Sequence, residues 1–508
     1  MHLGDFLVAY LRKLGVEVIF GIPGDLVLKL FFRLGQRQAL RMLTFSHEPS
    51  VGFAVDGYAR ASGRIGVACV TYGAGGHNMV NAVAGSFSER VPILVISGGP
   101  GEEERRLGTL IHHQAKEVES QFHIYNEVTC AARVVDDPMT AARDIHEVVG
   151  AMWAEQRPGY LEIHRDMVDR EITVPRDIAR WDGTLDFRRS DPPKLREAVA
   201  ETTQRWNASK RPVTVLGIET YRYRLADDAV ALADRMGAPV LTSVLAKGAF
   251  PMDHPLHMGV HIGAISPKPI RNRMHRADLV LNLGAQQTDI DLGSRPPDVN
   301  QERAIWAVGD RVDISYHTYT DVTLRDFVKG LLRAPLRRKR EKIAYADNLE
   351  PQARGAERPI QVADVLWEVN RFLAQRDDFM VVAESGDMLF AGLDVRVPGR
   401  GNYFAQGYYA SMGFGAPAAL GAQIGTGRRP LLLSGDGAFQ MTGPELSQAP
   451  RHGCNPIALV MNNGGWQIFR PVSDRRDLLA IPAWPYARLA ECWGGWGRKV
   501  ESVRELRE

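Results

Sequence analysis

The chain has 508 residues, a formal net charge of +2 and an ordinary share of hydrophobic residues at 45%. That length exceeds what one hydrophobic core supports and predicts roughly three domains of ~100–200 residues each. A charge so close to neutral offers no electrostatic case for a nucleic-acid or anionic-membrane partner.

The N-terminal stretch "MHLGDFLVAYLRKLGVEVIF" reads as an amphipathic helix followed by a strand. It lacks the charge order and small-residue cleavage site of a signal peptide, and its charged and glycine residues break it short of a membrane span. "VEVIFGIPGD" reads as a strand ending in a Gly/Pro turn. "EPSVGFAVDGYARASGR" reads as a helix with Pro49 in its first turn. "IGVACVTYG" is a buried strand, "GAGGHNMVNAVAGSFSER" a glycine loop entering a helix, and "VPILVISGG" the next strand. Strand, helix and strand joined by short loops predict a doubly wound parallel α/β sheet over residues 1–170.

A polar stretch, "ITVPRDIARWDGTLDFRRSDPP", reads as a linker. A second α/β block over 191–333 contains "RPVTVLGIET", "APVLTSV" and "ADLVLNLGA". The basic stretch "RAPLRRKREKIAYADNLEPQARGAERP" has no apolar period and no interleaved aromatics, so it reads as a solvated connector. A third α/β block over 360–508 contains "DFMVVAESGD", "GFGAPAALGAQIG", "RPLLLSGDG" and "PIALVMNNGG". The expected fold is therefore α/β with three doubly wound parallel-sheet domains. Cys69, Cys130, Cys454 and Cys492 are scattered without metal-ligand spacing. They read as reduced thiols of a cytoplasmic protein.

Ligands of an open parallel sheet bind beyond the carboxyl ends of its strands. Asp436, between Gly435 and Gly437, falls there after "PLLLS", and Asn463 falls there after "PIALVM". A carboxylate and an amide oxygen at adjacent strand ends suit Mg²⁺, which completes its shell with phosphate oxygens and water. The flanking glycines let backbone approach a phosphate. No GxxxxGK[ST] occurs, so a P-loop is not supported.

GDG followed two dozen residues later by NN resembles the thiamine diphosphate motif. The resemblance covers nearly the whole chain and points to the 2-oxo acid decarboxylases, of the phenylpyruvate and indolepyruvate type. "FGIPGD", "SHEPSVGFAVDGYAR", "VTYGAGGHNMVNAVAG" and "LIHHQ" look like that group's first domain, and "AESGD", "MGFGAPAALG" and "GDGAFQMTG" like its third. The resemblance implies thiamine diphosphate and Mg²⁺ as cofactors. Asp436, Asn463 and the Gly465 carbonyl would hold the metal. Asp387 would lie near the cofactor, Met412 beneath it, and the Ala410 carbonyl would accept its amino group. Glu48, supplied by a second subunit, would bond to the pyrimidine ring; such a carboxyl should be buried. His112 and His113, with Asp25, would handle the substrate carboxylate and the proton that completes the product. A homodimer or homotetramer with active sites at the subunit interface follows, acting on a small 2-oxo acid.

Three features depart from the family pattern. Many relatives carry a Glu where this chain has Phe469, which favours a large apolar substrate over pyruvate; the nearby Gln467 cannot substitute as an acid. Pro450 falls inside the crossover after GDG and predicts that its helix stops early. The third block looks truncated at Glu508, which predicts a more open site. The leading reading is non-oxidative decarboxylation of an aromatic or branched 2-oxo acid to an aldehyde. The alternatives are an acetolactate synthase-type carboligase, disfavoured by the His pair, and a catalytically silent cofactor-binding homologue.

Overall fold

A computed structural model of the chain describes residues 1–36, 40–108, 110–293, 300–349, 355 and 357–508. Its strands form three sheets. The first contains β1 (Val18–Gly21), β2 (Arg41–Thr44), β3 (Gly66–Val70), β4 (Ile93–Gly99), β5 (Ala131–Val135) and β6 (Gly159–His164), in the order β2-β1-β3-β4-β6-β5. Every pairing in it is parallel. Alternate residues feed two separate cores. Ile19, Val67, Leu94, Ile96 and Leu161 join one cluster. Phe20, Ala68, Val95 and Tyr160 join the other. Both faces are covered, which is why these strands read as continuous apolar runs.

The second sheet runs β13-β12-β11-β10-β7-β8-β9. Its strands are β7 (Pro212–Leu216), β8 (Val240–Thr242), β9 (His257–Val260), β10 (Leu279–Leu283), β11 (Ala304–Val308), β12 (Arg311–Ile314) and β13 (His317–Thr320). It is parallel from β11 to β9, but β12 and β13 are antiparallel. The expected parallel sheet thus carries an antiparallel edge. Two-residue turns at Gly309–Asp310 and Ser315–Tyr316 make it possible, with Gly309 (φ 61°) and Ser315 (φ 55°) in the left-handed region such turns favour. The basic connector is also not simply solvated. Asn207 and Trp206 hold the Pro335 and Arg337 carbonyls, Arg273 grips Glu341 through two bonds of 2.6 and 2.8 Å, and Ala346 N–H donates to Met258. It is a strap along the second sheet's domain.

The third sheet contains β14 (Phe379–Ala383), β15 (Tyr403–Ala405), β16 (Arg429–Gly435) and β17 (Ile457–Met461), in the order β15-β14-β16-β17. Its crossover is broken into a helix Asp436–Thr442, a 3₁₀ segment Gly443–Gln448 and a short helix Ala449–His452. Pro450 sits in the first turn of that last helix, where its missing N–H costs nothing, and Gly453 (φ 71°) closes it.

The chain divides into two compact units. One comprises 1–187, 409–432 and 436–459; the other comprises 188–408, 433–435 and 460–508. Within the first, the helix Glu48–Ser62 crosses the helix Gly415–Thr426 with backbones touching. A Cβ at Gly421 would lie 1.8 Å from the Ala54 carbonyl oxygen, and one at Gly57 2.3 Å from that of Ala418. Only glycine permits that approach.

Candidate active site

Four first-domain residues singled out in the sequence gather around the N-terminus of the helix Ala74–Ser88. Asp25 lies in the turn after β1, which packs on the end of β3: a Cβ at Gly24 would meet Thr71 at 2.5 Å. His112 Nε2 is hydrogen-bonded to Asp25 Oδ2. Partial burial would raise the Asp25 carboxyl, but the His112 bond and charge, with Leu26 N–H and His113, leave it below the usual carboxylate range. His113 packs edge-on to His112, ring centroids 4.7 Å apart. The ligating atoms of Asp25, His112 and His113 lie within 4.8 Å of one another, and all three residues are exposed.

His113 has φ 70°, a strained conformation for a residue with a Cβ. Its Nδ1 lies 3.3 Å from the Tyr72 carbonyl, an acceptor only, so the proton sits on Nδ1 and Nε2 is left for other partners. A Cβ at Gly73 would fall 2.1 Å from the His113 carbonyl oxygen, and one at Gly75 would fall 3.6 Å from Glu48 Oε1. The glycine turn thus lies against both residues.

Glu48 opens the helix Glu48–Ser62, with Pro49 beside it. Its Oε2 accepts from Asn78 Nδ2 at 2.9 Å. Glu48 is half-buried within the single chain, at a helix start; the burial expected of it concerns the assembly with a second subunit. The strand end before it is anchored by residues that sequence reasoning missed. Ser46 N–H donates to Glu445 Oε1 at 2.9 Å, Gln448 Nε2 donates to Ser46 Oγ at 3.1 Å, and His452 Nε2 lies 3.0 Å from the Thr44 carbonyl. Burial raises the Glu445 carboxyl, although Ser46 and Ser50 oppose that rise.

The segment carrying Ala410 and Met412 is held as firmly. Ala410 has φ 53°, another strained non-glycine residue, and Met412 is half-buried. Tyr409 N–H donates to Glu89 Oε1 at 2.9 Å, and Asn81 Nδ2 donates to Ser411 Oγ at 2.8 Å. Glu89 belongs to a buried charge cluster. Arg60 donates to Glu89 Oε2 at 2.5 Å and to both Asp56 oxygens, while Ser86 Oγ donates to Asp56 Oδ2 at 2.7 Å. The Arg60 guanidinium lies 5.2 Å from the centroid of the Phe414 ring. Burial alone would lower its pKa; the Asp56 and Glu89 carboxylates reverse that and raise it. Nothing in the sequence marks these charges as buried, apart from their i,i+4 spacing in "DGYAR".

In the third sheet, Asp436 follows β16 directly as the first residue of a helix and is 1% exposed. Its Oδ1 accepts from Gly437 N–H at 2.9 Å. Asn463 lies two residues past the end of β17, exposed, and Gly465 is buried. Asp387 opens the helix Asp387–Ala391 after β14, and partial desolvation raises its carboxyl. A Cβ at Gly386, Gly435 or Gly464 would meet no atom within 4 Å, so there is open space past the ends of β14, β16 and β17. Within the second unit, open room beyond these strand ends, beside the Asn463 amide and the Gly465 carbonyl, leaves space for an oxygen-rich ligand such as a diphosphate.

Residues 1–124 match the family description "Thiamine pyrophosphate enzyme, N-terminal TPP binding domain", 199–334 its central domain, and 385–508 its C-terminal TPP binding domain. The chain is 37% identical to the indole-3-pyruvate decarboxylase of Azospirillum brasilense, over 100% of this chain and 92% of that protein. It is 27% identical to pyruvate decarboxylase isozyme 3 of Saccharomyces cerevisiae, covering 97% and 88% of the two chains. A thiamine metabolism regulatory protein of the same yeast is also 27% identical, over 99% and 86%. With the three parts matched in order and a relative 37% identical over the whole of this chain, the chain belongs to the thiamine pyrophosphate enzymes, in their 2-oxo acid decarboxylase branch.

Proposed function

We propose that the protein decarboxylates 2-oxo acids with aromatic or branched side chains, such as phenylpyruvate or indolepyruvate, to the aldehyde and carbon dioxide. The observation that carries this reading is the grouping of Asp25, His112 and His113 beside Glu48 at one helix N-terminus. When bound, thiamine diphosphate supplies the nucleophilic carbon and the electron sink. Asp436, Asn463 and the Gly465 carbonyl would hold Mg²⁺, with Gly435 and Gly437 leaving room for phosphate. Asp387, the Ala410 carbonyl and Met412 would fix the cofactor's orientation. Glu48 would hold a proton at the pyrimidine nitrogen. His113, with Nε2 open, would exchange a proton with the reacting carbon, while the Asp25–His112 pair orients the substrate carboxylate.

A homodimer or homotetramer with sites at the subunit interface belongs to the same proposal. Exposed large apolar side chains beside the motifs support it: Tyr408, Tyr409, Met441, Ile468 and Phe469. A cytoplasmic location is supported by four unpaired cysteines. Among the described residues no helix is long and apolar enough to cross a membrane.

The test is aldehyde release from a panel of 2-oxo acids in the presence of thiamine diphosphate and Mg²⁺. Phenylpyruvate or a branched acid should show a higher kcat/KM than pyruvate, since Phe469 is apolar. A pyruvate value above both would sink the assignment of substrate size. An acetohydroxy acid as main product would favour carboligation, and cofactor binding without turnover would favour a silent homologue. The metal assignment has its own readout. At cofactor a hundredfold above its Kd, binding should stabilise the protein by about 2.7 kcal/mol and raise its Tm. An equal rise in Asp436→Ala would remove Asp436 from the site.

A further inference from the structure

Behind the glycine turn that packs on His113 runs a chain of buried polar side chains. Gly73 N–H donates to Gln121 Oε1 at 2.7 Å. Gln121 Nε2 donates to Ser97 Oγ at 2.9 Å and to the Tyr160 hydroxyl at 2.6 Å. That hydroxyl donates in turn to Glu162 Oε2 at 3.0 Å. Arg105 Nη2 donates to Glu162 Oε1 at 3.0 Å, and Arg105 Nη1 donates to Glu119 Oε1 at 2.9 Å. Ser97, Gln121, Tyr160 and Glu162 are all 0% exposed.

The Gly73 end of the chain sets the direction of the bonds that follow. The Gly73 N–H can only donate, which fixes the Gln121 amide with its oxygen toward the turn. Its nitrogen then faces Tyr160, so the phenol must send its own proton on to Glu162. The chain is polarised in one direction from Gly73 to the carboxylate. It has little room to rearrange. Tyr160 stacks on Tyr125 with centroids 4.0 Å apart, and the Tyr125 hydroxyl donates to the Gly76 carbonyl at 2.8 Å. A Cβ at Gly76 would overlap Gln121 Oε1 at 2.0 Å. A buried polar chain of this kind stabilises one geometry only while every bond is made.

The chain ends at Gly73, which packs against the residue that needs support. His113 occupies a left-handed conformation that an L-residue avoids, and its carbonyl rests on Gly73. Strain of that sort persists only where the surroundings over-determine it. We propose that Gln121, Tyr160 and Glu162 are positioning residues for His113, acting through the Gly73 turn to aim its open nitrogen at the reacting carbon. The inference rests on the reading that His113 transfers a proton.

Tyr160→Phe removes one hydroxyl and keeps the stacked ring. Its kcat should fall about tenfold, the factor that corresponds to ~1.4 kcal/mol of barrier. KM, and the cofactor Kd read by tryptophan fluorescence, should hold, since Tyr160 is fully buried. The decisive comparison is with His113→Ala. If Tyr160 acts through His113, adding Tyr160→Phe to His113→Ala should change kcat by less than about twofold. The same tenfold loss in both backgrounds, or none in the parent, would overturn the proposal. Full turnover in His113→Ala alone would instead overturn the proton-transfer reading, and the inference with it. Should Tyr160→Phe fold poorly, Ser97→Ala removes a single outer bond of Gln121 and should give a smaller loss that likewise vanishes without His113.

Discussion

Glu48→Gln is expected to keep cofactor affinity and lower kcat by about 10²–10⁴-fold, the range a positioned acid–base group contributes. Glutamine matches glutamate in size, so the helix start and the bond from Asn78 Nδ2 can survive. What it loses is the ability to carry and release a proton. Affinity by fluorescence titration and kcat by aldehyde release separate the two effects. A fall of less than about tenfold, ~1.4 kcal/mol of barrier, would remove Glu48 from proton handling.

Arg60→Met is expected to cost about 3–5 kcal/mol of stability, because Asp56 and Glu89 would remain buried without their countercharge. Both carboxylates are 0% exposed at the side chain, so solvent cannot take over the role. Arg60→Lys should recover only part of the loss, since an ammonium cannot reproduce the fork that reaches both partners. Urea unfolding of the first cooperative transition provides the measurement. A loss below about 1 kcal/mol, the scale of an exposed pair, would show that the cluster is not buried in solution. The same variant should weaken cofactor binding, because Glu89 also holds the Tyr409 N–H next to Ala410.

The parts of this protein legible in its sequence are those governed by short-range rules. Continuous apolar runs gave β3, β4 and β16, Pro49 marked a helix start, and the glycines flanking Asp436 marked a strand end. The antiparallel edge β12–β13 escaped notice because its turns, Gly309–Asp310 and Ser315–Tyr316, are two residues long and its strands half exposed. The strap over 334–349 looked like a connector because its anchors, Trp206, Asn207 and Arg273, lie far away in the chain. Burial of Arg60, Glu89, Gln121 and Glu162 is a tertiary property: a charged letter looks the same on a surface or under a sheet. Of the candidate site, motif matching singled out Asp25, Glu48, His112 and His113 and missed Glu445, Gln448 and His452, whose hydrogen bonds hold the strand end before Glu48.

The crossing of the helices Glu48–Ser62 and Gly415–Thr426 has a consequence for synthesis on the ribosome. The surface that covers Ala54 and Gly57 is encoded some 360 residues later. At about 5–20 residues per second, translation leaves that apolar face uncovered for roughly 20–70 s. Throughout that interval the helix bearing Glu48 is a sticky half-interface on a nascent chain. Glycine at 57 keeps the waiting patch smooth, and glycine at 421 lets the late-arriving helix seat without any side chain having to move aside.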